Sequence, residues 1–340
     1  MKELIRKLCT CDAASGSEKA VRDYIMNEIV NYVEECKIDS IGNLIAYKRG
    51  KSRGRNRLML VSHMDEVALR VQSINENGTI KFIPVGKIEV TSLPGSVVRS
   101  NAGIKAAVVF ANNPSGKKPS FDDLVIDCGA QSKSAAESVV SVGDFFVFDS
   151  EFIELPNGNI SDKAFEDRLG CAVLIDLIKK DLQYDAWFVF SACGELVSPG
   201  EAGRGAGIAA ERVSPDICLA INCRGVADFP NVPVHKQQAK VGFGAIVPLS
   251  DHGAGYYRPL RTCIEKAASD KGILWQNLAA RGQISDQSSV YTANIGVKLS
   301  ALAIPVRNIY TGHSLANLND ITSVRDIAYI FIEKAGEFNV

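Results

Sequence analysis

The chain has 340 residues, with 38 Lys and Arg against 39 Asp and Glu, for a formal net charge of -1. Apolar residues make up 46% and charged residues 23%, which is globular composition and excludes a disordered tail, a collagen and a coiled coil. The charge balance predicts no broad footprint for nucleic acid or an anionic membrane, and the four histidines (His63, His235, His252 and His313) exclude a histidine-rich metal site.

The chain opens with helical signals. Leu4, Ile5 and Leu8 fall at helical spacing. Ser15 to Glu18 offers capping chemistry for a second helix, which lines Val21, Tyr24, Ile25, Ile29 and Val33 along one face. SIGNLIAYKRG reads as a strand ending in a basic glycine turn. RLMLVSHMDEV reads as a nearly continuous apolar strand, the kind buried in a sheet with helices on both faces. From Leu69 to Glu154 the texture changes to short alternating runs broken by Gly, Pro and Asn, the pattern of a small β-barrel or sandwich. After Asp162 the α/β rhythm returns. RLGCAVLIDLIKK, LRTCIEKAASDKG and VRDIAYIFIEKAGEF read as helices, and AWFVFSACGE, DICLAINC and AIPVRNIY as strands. The expected fold is therefore an α/β domain of residues 1–68 and 155–340, a mixed sheet with helices on both faces, interrupted by a β-domain of residues 69–154. No apolar run approaches the ~18 residues of a membrane span, and the charged N-terminus does not read as a signal peptide. The nine cysteines include no CxxC pair and sit mostly in apolar runs, which predicts buried free thiols and a cytoplasmic location.

Three places carry candidate chemistry. Ser62-His63-Met64-Asp65-Glu66 ends a buried strand, where ligands collect in α/β sheets. His63 and Asp65 share a side of an extended segment, so they are either a carboxylate-oriented metal ligand or a polar pair closing the strand. Glu166 and Asp167 open a helix, where carboxylates suit the helix dipole or bridge metals. Glu195 follows the AWFVFSA strand, and the PGEAGRGAG beyond it lacks the features of a phosphate-binding loop and reads as a turn into a helix.

In order along the chain, ASGSEKAVRDYI, DSIGNLIAY, VSHMDEVALRV, KAFEDRLGCAVL, FVFSACGE, GRGAG, SDQSS and IPVRNIYTGHS resemble metallopeptidase family 42, the co-catalytic zinc aminopeptidases. The resemblance implies a zinc-peptidase-like (phosphorylase/hydrolase-like) α/β domain with an inserted β-barrel for dimerisation. It implies two zinc or other divalent ions bridged by one carboxylate, action on peptide N-termini, and homo-oligomers from dimers to dodecamers. Neither nucleic acid nor membrane is an expected partner.

Carried over position by position, the metal-ligand histidine is His63 and its orienting aspartate Asp65. The bridging aspartate is replaced by Glu166, with Asp167 beside it, and the ligand glutamate is Glu195. The general base is replaced by Gly194, an aspartate ligand by Asn222, and the second histidine ligand by Tyr310. Each implied metal site thus loses a preferred ligand, and losing a general base costs about 10²–10⁴-fold in rate. Asp167, Glu201 and His313 are the candidates for compensation. The expected function is an aminopeptidase-like hydrolase with reduced or altered activity. The alternative is an inactive member that binds peptides or assembles with an active partner. An endoglucanase activity, ascribed to some relatives, would need a separate pair of carboxylates. Restoring Gly194→Glu, Asn222→Asp and Tyr310→His together is expected to rebuild the family's centre.

Overall fold

The computed structural model describes residues 1–111, 118–196, 203–233, 235, 237, 239–251, 253–279 and 286–338. Helices α1 (Lys2–Thr10) and α2 (Lys19–Ile29) bury Ile5, Leu8, Val21, Ile25 and Ile29, the apolar stripe of each. The Ser15–Glu18 stretch does not cap α2 as expected, because Glu18 occupies the N-cap without a capping side-chain bond. The Ser15 hydroxyl is drawn instead to the buried carboxylate of Asp65.

Strands β1 (Glu35–Ile38), β2 (Leu44–Lys48) and β3 (Leu58–His63) follow. Next come β4 (Ala68–Ile74), β5 (Ile80–Val85), β6 (Val97–Ser100), β7 (Lys105–Phe110) and β8 (Leu124–Asp127), then short α3 (Lys133–Glu137) and β9 (Phe145–Phe148). β4 to β9 close into a barrel in the order β4-β5-β8-β7-β6-β9, and β9 pairs back onto β4 through Leu69 and Phe146. Its core is the inward face of these alternating strands, with Leu69, Val71, Phe82, Val108, Ile126 and Phe146 among its buried residues.

β10 (Ile153–Glu154) and β11 (Asn159–Asp162) lead into α4 (Phe165–Ile178), β12 (Ala186–Ser191), α5 (Arg204–Val213) and β13 (Ile217–Gly225). β14 (Ala245–Pro248), α6 (Arg258–Asp270), β15 (Trp275–Leu278), α7 (Gln287–Tyr291), β16 (Lys298–Val306), β17 (Ser314–Asn317) and α8 (Leu318–Ala335) complete the described chain. The main sheet has the order β1-β2-β12-β3-β13-β16-β14-β15. β12, β3, β13 and β16 run parallel at its centre, β2 is antiparallel to both of its neighbours, and β14 is antiparallel to β16 but parallel to β15. This is the mixed sheet expected from the continuous apolar strands. Alternate strand residues serve opposite faces. Leu58, Leu60, Phe188, Phe190, Leu219 and Ile221 pack with α1, α2, α4, α6 and α8. Met59, Val61, Val189, Cys218 and Ala220 pack with α5 and α7.

Of the boundaries that differ from the sequence reading, two have a clear local cause. The strand expected through Tyr310 stops at Val306, because Asn308 and Tyr310 take left-handed conformations that no strand can hold. The last helix begins at Leu318, ahead of the periodic run, because the Asn317 side chain accepts from the Asn319 N–H (2.9 Å) as an N-cap. The nine cysteines are free thiols. Among the described residues no helix is long and apolar enough to cross a membrane.

Candidate metal centre

The parallel strands deliver the candidate residues to one end of the sheet. His63 is the last residue of β3, Glu195 follows β12, Asn222 lies near the end of β13, and Glu166 and Asp167 open α4. His63 and Glu195 are each 4% exposed and Asp65 and Asp167 0%, so the charges are held away from water. One nitrogen of His63 and one carboxylate oxygen each of Glu166 and Glu195 lie within 4.8 Å of one another. His63 Nε2 is 3.3 Å from Glu166 Oε2, and Nδ1 is 3.3 Å from Asp65 Oδ1, close enough for attraction but too oblique for a full hydrogen bond.

Asp65 is a rigid support. Its Oδ1 accepts from the Gly194 N–H (2.7 Å), and its Oδ2 from the Glu195 N–H (2.8 Å) and the Ser15 hydroxyl (2.5 Å). Burial pushes this carboxyl upward, but the neighbouring His63, helped by the Ser15 and Glu195 donors, overcomes it and holds Asp65 below its usual range. Burial disfavours the charged imidazole of His63, but the carboxylates of Glu166 and Asp65 outweigh it and raise its pKa well above the ordinary value. Burial also pushes Glu166 upward, but His63 overcomes this and holds it below the usual carboxylate range. Glu195 is raised well above that range by burial and by the charge of Glu166. Its Oε1 is buried with no hydrogen-bond partner.

Asn222 and Asp167 are engaged in a separate string. Asp167 Oδ2 accepts from the Ser62 hydroxyl (2.9 Å) and the Asn222 amide (3.2 Å), and Asn222 Oδ1 accepts from the Gln287 amide. Both ends of the Asn222 amide are therefore used. Burial, with the charge of Glu166, raises Asp167 well above the usual range. An aspartate at position 222 would lose the donor to Asp167 and set a second carboxylate against it.

Gly194 takes up the space where a side chain would begin. A Cβ built there would lie 2.5 Å from His63 Cγ and 2.6 Å from His63 Cβ. The Tyr310 ring packs against the barrel core, and its backbone sits at φ 65°. His313 and His235 are exposed. Glu201 and His252 lie outside the described residues.

The profile of the M42 glutamyl aminopeptidase family matches residues 42–327. The chain belongs to that family. It is 30% identical over 326 residues to a putative aminopeptidase of Acetivibrio thermocellus, covering 95% of this chain and 96% of that one. An aminopeptidase structure from the archaeon Desulfurococcus kamchatkensis superposes with a TM-score of 0.92 at 29% identity, covering 98% and 94% of the two chains. The TET1 peptidase of Pyrococcus horikoshii, which can assemble into a tetrahedron or a large octahedral shell, matches with a TM-score of 0.81 at 27% identity over 97% and 98%.

Within this M42 chain the donor set fits a divalent cation. One imidazole and two carboxylates converge, one carboxylate oxygen is buried without a partner, and the surrounding carboxylates outnumber the single imidazole. Sequence reading missed Asp286, which lies in SDQSS. It is 3% exposed, accepts from the Ser191 hydroxyl (2.8 Å), and is pushed up to about 6 by burial despite the charge of His63. A lone acid in a serine-rich stretch carries no local signal of such a role. Gln287, which anchors Asn222, was missed for the same reason.

Proposed function

We propose that the chain is a metal-dependent, aminopeptidase-type hydrolase with a single-ion centre, acting slowly on peptide N-termini as a homo-oligomer. The observation that carries this reading is the convergence of His63, Glu166 and Glu195, with a buried unpartnered oxygen on Glu195. Zinc or a similar divalent ion suits one imidazole and two carboxylates. Bound there, it would polarise a peptide carbonyl and lower the pKa of a water molecule. The chain's own residues do the rest. Asp65 faces the Nδ1 side of His63, Glu166 and Glu195 offer oxygens, and the carboxylate surplus suits the ammonium group of a peptide N-terminus. Gly194 leaves no general base at the family's position, so turnover is expected to fall about 10²–10⁴-fold below that of a relative with the base.

The test is metal analysis of the isolated protein, followed by release of N-terminal residues from short unblocked peptides with and without a chelator. The expected result is one ion per chain, slow release and loss of release on chelation. Failure to take up zinc, manganese or cobalt would sink the reading. One ion with peptide binding and no release would establish the inactive alternative, which the locked Gly194 and Asn222 favour.

Metal uptake should depend on pH. The raised imidazole of His63 must give up its proton to bind an ion. Affinity is therefore expected to climb with pH through the neutral range, by about tenfold per unit for one proton released. Without metal the sign reverses. A raised histidine stabilises the fold fully below its unfolded pKa, and the contribution is lost as pH rises through the folded one. Calorimetric titrations between mildly acidic and mildly alkaline pH measure the first effect. A flat affinity would show that His63 is not a ligand.

A further inference from the structure

The opposite end of the same strands carries a second site. Lys48 to Arg57 (KRGKSRGRNR) places six cations in ten residues of a chain whose net charge is only -1. The turn between β2 and β3 is not a loose surface loop. Lys51 N and Ser52 N donate to the carbonyls of Leu182 (3.0 Å) and Gln183 (2.8 Å), and Arg55 N to that of Gly336 (2.9 Å). The Asn56 amide donates to the carbonyls of Ala335 (3.0 Å) and Phe338 (2.7 Å). Gly50 lies so close to Tyr184 that a Cβ would sit 2.4 Å from its carbonyl carbon. The turn is therefore pinned to its neighbours, and its cations are held together at a cost in mutual repulsion.

Five of these six cations, Arg49, Lys51, Arg53, Arg55 and Arg57, line an open cavity of about 860 Å³ together with Arg212. Two carboxylates also line it, and three of their four oxygens accept hydrogen bonds from the protein. Asp185 accepts from the Tyr47 hydroxyl (2.7 Å) and the Gly50 N–H (2.8 Å), and Asp216 from the Arg57 N–H (2.7 Å). Arg57 is held by the carbonyls of Val213 and Ser214, and Arg49 reaches Glu34 only at 3.9 Å. Among the described residues, Lys51, Arg53 and Arg212 form no ion pair. One wall is aromatic. Trp187 stacks at a tilt on Tyr47, with ring centroids 4.9 Å apart.

We propose that this cavity binds an oligophosphate anion, either free or as the phosphate chain of a nucleotide. Several guanidinium forks around one open cavity match a chain of phosphates better than a single carboxylate. The size also exceeds what a lone small anion would fill. The site is independent of the metal centre, because it stands at the start of β3 and next to the start of β12, whereas His63 and Glu195 stand at or beyond their ends.

The test is titration of the full chain with inorganic triphosphate, and separately with magnesium-free ATP, followed by calorimetry and by Trp187 fluorescence. Saturable binding of one triphosphate per chain is expected. Removing one unpaired cation, by Arg53→Ala or by Arg212→Ala, should weaken it about tenfold or more. Both positions are exposed, so the variants should keep the wild-type thermal midpoint without ligand. Tighter binding of ATP than of triphosphate would assign the ligand to a nucleotide through the Trp187 wall, and equal binding to the free anion. Absence of saturation near about 1 mM, or equal affinity in the double Arg53→Ala, Arg212→Ala variant, would overturn the proposal. So would a change of oligomeric state in the variants without triphosphate binding, which would make this face an assembly surface.

Discussion

Gly194→Ala is expected to cost the protein its metal while leaving it folded. A methyl group at this position would start 2.5 Å from His63 Cγ and 2.6 Å from its Cβ, closer than real Cβ contacts come. The imidazole cannot swing freely aside, because Asp65 and Glu166 flank its two nitrogens. The backbone cannot retreat without cost either, because the N–H groups of Gly194 and Glu195 both bond Asp65. Displacing a ligand or its support lowers metal affinity about 10–100-fold, so a titration that measures the ion in wild type should show little or none in Gly194→Ala. Unchanged affinity would mean that His63 is not a ligand. The same overlap bears on restoring the family's residues. The triple change Gly194→Glu, Asn222→Asp, Tyr310→His, which the sequence alone suggests would rebuild the centre, is expected to fail. Its glutamate begins inside the space of His63, and its aspartate removes the amide that Asp167 accepts.

The second large effect is on stability. Lys163 is 1% exposed and its ammonium lies 2.7 Å from Asp12, 3.1 Å from Glu66 Oε1 and 3.0 Å from Glu66 Oε2. Glu66, also 1% exposed, is shared with Arg168 and with the Ala13 N–H. Asp12 is held in turn by the Arg99 fork at 2.8 Å on both oxygens, and Arg99 reaches Asp149 at 2.6 Å. The network ties α1, the strand end that carries His63, the start of α4 and the barrel into one polar seam. Lys163→Ala takes the nearest cation from the buried Glu66, which keeps only the longer Arg168 contact (3.4 Å), and losing one partner of a buried pair costs about 3–5 kcal/mol. Urea unfolding should show the midpoint fall accordingly. Lys2→Ala is the control. Its partner Glu154 is half exposed, so removing that pair should leave the midpoint close to that of wild type. Similar losses for both variants would mean that the buried network contributes no more than a surface pair.

The sheet was legible in the sequence because its strands are marked by their own composition. Leu58–His63, Ala186–Ser191 and Ile217–Gly225 are continuous apolar runs, and burial on both faces requires that. The barrel was legible from alternation and turn residues. His63 and Glu195 stood out because each closes such a strand. The rest depends on partners distant in sequence. Ser15 meets Asp65, Cys193 N meets Glu18, Asn222 meets Gln287, and Arg99 meets Asp12. None of these pairs leaves a period or a spacing to read. The packing of Gly194 against His63 is equally silent, because a missing side chain looks in sequence like a loss and in space like a fit.

The barrel is inserted between two of the three candidate ligands, since it begins five residues after His63 and ends before Glu166. In an unfolded chain, bringing these ligands together means closing a loop of about a hundred residues, at an entropic cost of roughly 4 kcal/mol. A folded barrel removes most of that cost, because β9 pairs with β4 and returns the chain beside its point of departure. Folding of the insert therefore favours the meeting of His63 and Glu166, and with it the completion of the site. A packing defect at Phe146, in the barrel core, would therefore slow formation of the metal site without touching any of its ligands.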